Sequence, residues 1–215
     1  MIALSCFVVG FVLWTFVCSL CEWSLHRYVM HRPVGFFRYP FRAHTLVHHR
    51  IFRADNSYHL QNPSDKETIP MAWWNGPVLI LLFALPSLLP SALLGRWSVS
   101  AGALCATAMY YVLYEYIHWC MHLPKSRRLE QSALFRRLNG HHLLHHRYMH
   151  KNFNVVMPLA DLVMGTLILE ARTRFAQPVN PAVPNVQPNR FAPLQPLENE
   201  EALEMEPHPT AELSS

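Results

Sequence analysis

The sequence predicts an all-α integral membrane protein: about three transmembrane helices, one alone and two in a hairpin, beneath a cytosolic cap of histidine-rich helices, with a disordered C-terminal tail. Three features predict this. Just over half of the 215 residues are apolar, 15% are charged and seven are glycine, an unusual balance for a soluble domain of this size. The apolar residues collect in long runs without charge. Thirteen of the fourteen histidines fall in two windows beside those runs, His26 to His59 and His118 to His150.

Met1 to Cys21 carry no charge, nor do Thr68 to Gly95 or Trp97 to Tyr114. Each run is near or above the length that crosses a bilayer as a helix. The first lacks a basic start and has Glu22, Trp23 and His26 where a signal peptide has its small-residue cleavage site, so it reads as a retained helix. The second contains Pro77, Pro86 and Pro90 and is separated from the third only by Gly95 and Arg96, which makes the pair a tight helical hairpin. Basic residues concentrate between Arg27 and Arg53 and between Lys125 and Lys151. The positive-inside rule turns both segments to the cytosol, which an outside N-terminus and three crossings satisfy. Such a multi-pass protein belongs in the endoplasmic reticulum of a eukaryote or the inner membrane of a bacterium. Tyr110, Tyr111, Tyr114, Tyr116 and Trp119 are expected to form an interfacial belt. The apolar stretch Pro158 to Leu169 is expected to lie on the membrane under the cap.

The chain divides into a membrane-embedded domain, residues 1–176, and a tail, residues 177–215. The domain holds 17 Lys and Arg against 8 Asp and Glu, the tail 1 against 6 together with eight prolines. The tail cannot bury enough apolar surface to offset the entropy of ordering. The basic domain suits a membrane surface and lacks the aromatic-basic interleaving of a nucleic-acid module. The five cysteines, Cys6, Cys18, Cys21, Cys105 and Cys120, lie in or beside apolar runs and read as small buried hydrophobes, not as a disulfide framework or zinc knuckle.

The histidine spacings are those of metal ligands: His26-x4-His31, His44-x3-His48-His49, His118-x3-His122 and His141-His142-x2-His145-His146. Positions four apart share one face of a helix at about 6 Å, so His44 with His48, His118 with His122, and His142 with His146 are each expected to point into one site. His49 and His145 then face differently, which suits two neighbouring metals dividing each doublet. His26 and His31 are five apart, about 140° round an ideal helix, and need a bent helix end or serve different metals. A structural zinc needs four ligands, and at least ten candidates are present. Two metals with open positions fit better, and iron suits imidazole ligands beside a lipid phase.

These residues resemble the fatty acid hydroxylase/sterol desaturase superfamily of membrane di-iron enzymes. The resemblance runs from about Glu22 to Thr166, through EWSLHRYVMHRP (Glu22–Pro33), HTLVHH (His44–His49), LYEYIHWCMH (Leu113–His122) and GHHLLHHRYMHKNFNVVMPLADLVMGT (Gly140–Thr166). It implies two iron ions, with zinc as a substitute in purified protein, held by His26, His31, His44, His48, His49, His118, His122, His142, His145 and His146. It also implies oxidation of a lipid by O2 in the membrane. With no fused cytochrome b5-like segment, the electrons are expected from a separate carrier, cytochrome b5-type or a ferredoxin and its reductase. His141 competes with His142 as ligand, and the x-x-His-His spacing favours His142. Glu115, three before His118, is expected to orient a histidine. His59 and His150 stand near the clusters as supporting candidates, and Asn154 and Asp161 are expected in capping or turn roles.

The spacing of His118 and His122 resembles hydroxylases of fatty acids and sphingolipids, making a fatty-acyl or sphingolipid chain the expected substrate. The compact length and short gap from His31 to His44 resemble carotenoid enzymes, so a carotenoid or sterol stays as the alternative, and desaturation as the alternative to hydroxylation. A non-catalytic metal-binding or transport protein is the rival from another class. It calls for polar ligands inside the spans, and these runs are free of them.

Overall fold

The computed structural model describes residues 1–169; the tail expected from Gln177 onward lies outside the described residues. Among these residues all regular structure is helical, apart from one isolated bridge between Val34 and Phe37. Helix α1, Ile2–Leu25, runs on into a π-helical turn, His26–Met30. The short α2 (Tyr39–Phe41), a second π-helical segment (Arg42–His48) and α3 (His49–Ile51) follow end to end as one cap helix. A 3-10 turn, Pro63–Thr68, precedes α4 (Asn75–Ala84). The next elements are α5 (Leu88–Leu94), α6 (Ser98–His122), α7 (Ala133–Arg147) and α8 (Leu159–Val163).

Two segments are long and apolar enough to cross a membrane, Ile2–Met30 and Asn75–Leu94. Their outer faces are apolar and exposed, with Leu13 at 55%, Leu81 at 60% and Leu89 at 66%. Apolar surface on that scale needs a cover, and lipid supplies it: this is a membrane protein. Pro86, lacking an N–H, tightens the second segment into a 3-10 turn at Leu85–Ser87, and the helix resumes as α5. At the end of α5, Gly95 takes a left-handed conformation (φ 61°), and the Arg96 N–H donates to the Ser91 carbonyl at 2.9 Å. This glycine cap turns the chain into α6. The chain thus folds back as a helical hairpin, tied at Ser100, whose Oγ lies 3.0 Å from Ser87 O and 2.6 Å from Ser91 Oγ.

Helix α6 packs along α1 at backbone contact. A Cβ on Gly10 would stand 2.3 Å from Val99 O, and one on Gly102 would stand 2.2 Å from Phe7 O. Small residues are what permits so close a helix crossing in lipid. Past the crossing, α6 extends to His122, two turns beyond the uncharged run, and carries its last histidines into the cap. There Tyr58, Ile117, Met121, Phe135, Leu138 and Val155 form a core, each large side chain stabilising by about 1.5–3 kcal/mol on burial. Ser132 caps α7 by accepting from the Phe135 N–H at 3.1 Å.

One expectation is corrected here. Tyr110 and Tyr114 are only 7% exposed and do not join an interfacial belt. The helical period turns both toward α1, where the Tyr110 hydroxyl donates to Glu22 Oε2 at 2.6 Å. Tyr116, on the opposite face, is exposed.

Candidate metal centre

Ten histidines converge in two groups of five: His26, His31, His44, His49 and His145 in the first, and His48, His118, His122, His142 and His146 in the second. Within each group one ring nitrogen from every residue lies within 4.8 Å of the others. The groups are neighbours, with the His49 and His146 rings 4.3 Å apart between centroids.

Two different helical periods build the groups. In α6 and α7 the α-helical period brings His118 with His122, and His142 with His146, into the second group, four residues apart. In the π-helical segments the His31 N–H bonds to His26 O, and the His49 N–H to His44 O. This ladder takes more residues per turn, so residues five apart share a face. His26 with His31 and His44 with His49 therefore meet in the first group. The expected pairing of His44 with His48 is corrected for the same reason: they go to different groups. The doublets His48-His49 and His145-His146 are each divided between groups, as the alternating faces require.

The far side of the rings is fixed by backbone. The Nδ1–H groups of His26 and His145 donate to the carbonyls of Phe153 and Lys151; those of His48, His122 and His146 donate to Thr68, Tyr58 and Phe52. A carbonyl can only accept, so each of these five rings is protonated at Nδ1 and directs a bare Nε2 lone pair inward. Four of the five, His26, His122, His145 and His146, meet other Nε2 atoms at 2.8–3.2 Å, as between His26 and His44 and between His122 and His142. The buried Nε2 atoms of His48 and His118 have no hydrogen-bond partner at all. Converging bare lone pairs repel one another and call for cations between them, so the donor set fits metal ions. Burial, reinforced by neighbouring imidazoles, holds His44, His48, His49, His142, His145 and His146 well below the usual histidine range, and His31 down to about 3. Neutral imidazole is the form that ligates metal.

An apolar cavity of about 290 Å³ abuts both groups. Its wall includes His44, His48 and His118, and it runs past Met30, Met71 and Leu79 beside α4. A narrower space shares Met30, Met71, Leu79 and Tyr114 and continues between the helices to Phe83 and Thr107.

The model of the fatty acid hydroxylase family matches residues 7–166, a span that holds all ten histidines. The chain belongs to the fatty acid hydroxylase family. A dihydroceramide fatty acyl 2-hydroxylase of Arabidopsis thaliana is 29% identical over 163 residues, 74% of this chain and 59% of the relative. Fatty acid 2-hydroxylases of Rattus norvegicus and Macaca fascicularis are 27% and 28% identical over 168 residues, 76% of this chain and 40% of each relative. The chain thus spans about half the length of the curated relatives it matches. No solved structure matches it.

The remaining candidates in this fatty acid hydroxylase domain fall elsewhere. His141 lies outside both groups and donates from Nε2 to Asp161 Oδ2 at 3.1 Å. Glu115 touches no histidine ring by hydrogen bond; it accepts from the Met71 N–H at 3.3 Å. The expectation that it orients a histidine is corrected, since its carboxylate is taken up by the Met71 backbone on the chain leading to α4. His59 and His150 are exposed and join neither group.

Asn154 and Asp161 do more than cap. Asp161 Oδ1 accepts from the Phe153 N–H (2.9 Å) and Thr166 Oγ1 (2.6 Å), and Oδ2 from the Asn154 N–H (2.8 Å) and His141. Burial pushes the Asp161 carboxyl up, but these hydrogen bonds outweigh it and leave the carboxyl below its ordinary range. Glu22, a residue the spacing argument did not single out, anchors the same loop to α1: it accepts from Val155 N–H at 2.6 Å and Asn154 Nδ2 at 3.0 Å. A carboxylate ending a 21-residue uncharged run was the available signal, because charge at a span end requires a partner.

Proposed function

We propose that this chain is an O2-dependent lipid hydroxylase, in which the ten histidines hold two iron ions and a fatty-acyl chain, free or within a sphingolipid, is the substrate. The observation that carries the reading is the meeting of both histidine groups with one apolar cavity: His44 of the first group and His48 and His118 of the second all stand in its wall. All-imidazole ligation without thiolate suits iron. The relatives are named as 2-hydroxylases of fatty acids or fatty acyl chains, which supports hydroxylation over desaturation.

Iron, when bound, supplies the activation of O2 that attack on an unactivated C–H bond requires and that no side chain provides. The chain's residues bind, orient and exclude. Met30, Met71 and Leu79 offer an apolar wall for an alkyl chain and keep water from it. The carbonyls of Phe52, Tyr58, Thr68, Lys151 and Phe153 hold five of the imidazoles in one tautomer and one direction, so that their ligation costs little rearrangement. In this reading residues 1–176 are the working unit, α6 is the third crossing, and the cap faces the cytosol of the endoplasmic reticulum or the bacterial inner membrane. A separate carrier supplies the electrons.

The test is expression of the chain with a reductase system in a lipid-rich host. Purified protein should carry two irons per chain without a Soret band, and lipid extracts should contain a hydroxylated product. The His145→Ala, His146→Ala variant, which removes one ligand from each group, should lose both metal and product. One zinc per chain, or identical extracts from both proteins, would falsify the proposal.

A further inference from the structure

Nine of the ten grouped histidines are buried, and His31 alone is partly exposed. It opens into a hollow of about 250 Å³ whose other walls include Arg27, Arg32, Thr45, His150 and Phe153. All of these come from the turn after α1, the cap helix and the chain just past α7. Three apolar cavities reach deeper span positions such as Thr107, Val78 and Thr15. This hollow instead has the exposed Arg32 and His150 in its wall, at the cap, and faces water.

Its charge has no counterpart. The ion pairs among the described residues are Arg127 with Glu130 and His141 with Asp161. Arg27 is seated instead on aromatic rings, 4.9 Å from the Trp23 centroid and 5.8 Å from that of Phe153, and Arg32 lies 5.5 Å from the Tyr28 centroid. Such seats hold a guanidinium in place and leave its N–H fork for a carboxylate from outside. The hollow is also thin-floored. The Phe153 ring lies 5.6 Å from the rings of His26 and His145 and 5.9 Å from that of His31.

We propose that an acidic one-electron carrier protein docks over this hollow and reduces the metal centre through His31 and Phe153. The inference rests on the oxygenase reading above. Hydroxylation places one oxygen atom of O2 in the C–H bond and releases the other as water, which consumes two electrons and two protons. The carrier delivers the electrons in two successive encounters, and solvent supplies the protons. An anionic bilayer is the weaker occupant, because no wall of the hollow comes from α4, α5 or α6.

The test uses the full chain in nanodiscs of uncharged lipid, with the soluble haem domain of cytochrome b5 as the acidic probe. Binding is measured at low and high salt for wild type, Arg32→Glu, His150→Glu and Arg96→Glu, the last an exposed arginine at the α5–α6 turn. Arg32→Glu and His150→Glu should each weaken binding on the order of tenfold and flatten its salt dependence, with Arg96→Glu unchanged. Carrier-driven lipid oxidation should fall in step, while oxidation driven by dithionite stays at the wild-type level. Equal binding by all four proteins overturns the docking site. So does a preference of the same arginine for phosphatidylserine-containing vesicles over the probe. Absence of dithionite-driven oxidation in iron-loaded wild type, with carrier binding intact, sinks the oxygenase reading and leaves the docking site standing.

Discussion

Asp161 offers no ring nitrogen to a metal, yet the first histidine group depends on it. Its four accepted hydrogen bonds, 2.6 to 3.1 Å long, hold the loop whose Lys151 and Phe153 carbonyls fix His145 and His26. The second group takes its carbonyls from Phe52, Tyr58 and Thr68, outside that loop. Asp161→Asn replaces one acceptor by an NH2 facing existing donors, which costs about 3 kcal/mol of stability. We expect a lower thermal midpoint in detergent, and iron falling from two per chain toward one with the first group lost. Unchanged iron would show that the loop does not support the site. A second residue-level consequence is acid lability. Histidine in the unfolded chain titrates near pH 6.5, whereas His31 is down to about 3 and His44, His48 and His49 lie well below the usual range. As pH falls through about 6.5 the unfolded state therefore binds more protons than the folded one, and stability is lost in that direction. Ligation needs the same neutral rings, so metal is lost in parallel. Thermal midpoint and retained iron should both decline from about pH 7 to about pH 5, and a flat profile would contradict the buried, neutral histidines.

At the scale of elements, the histidine motifs were legible because α6 and α7 are ordinary helices: residues four apart in His118-x3-His122 and His142-x2-His145-His146 follow from 3.6 residues per turn. The two π-helical segments were not legible. Local propensity does not distinguish an i→i+5 ladder from an i→i+4 one, and only the convergence of His26, His31, His44 and His49 on one point reveals which period the chain adopts. The same limit hid the burial of Tyr110 and Tyr114, since an aromatic stretch at a span end reads alike whether it faces lipid or a neighbouring helix. The glycines of the α1–α6 crossing matter for placement of the site. Gly102→Ala puts a methyl group 2.2 Å from Phe7 O, so the helices must separate, at a cost of about 1–3 kcal/mol. Because α6 carries His118 and His122, the expected result is a lower thermal midpoint together with reduced iron in the second group. Full metal occupancy in this variant would show that the cap is positioned independently of the crossing.

At the scale of the whole molecule, two apolar cavities that share wall residues lie between the histidine groups and the spans. Leu79 of α4 belongs to the wall of both the wide cavity against His44, His48 and His118 and the narrow space that continues to Phe83 and Thr107. In the oxygenase reading a long chain bound with its reacting end at the histidines extends through this junction, and a short one ends before it. Leu79→Trp fills the junction without touching a ligand. Overpacking costs about 1–3 kcal/mol, which a thermal midpoint measures separately, and iron content should stay at the wild-type level. Turnover of long acyl chains should then fall on the order of tenfold or more, the loss of roughly 1.4 kcal/mol of favourable placement per decade, while short chains keep their rate. A uniform loss at every chain length would mean that the substitution damages the site itself, and an unchanged profile would mean that the chain leaves the centre by another route.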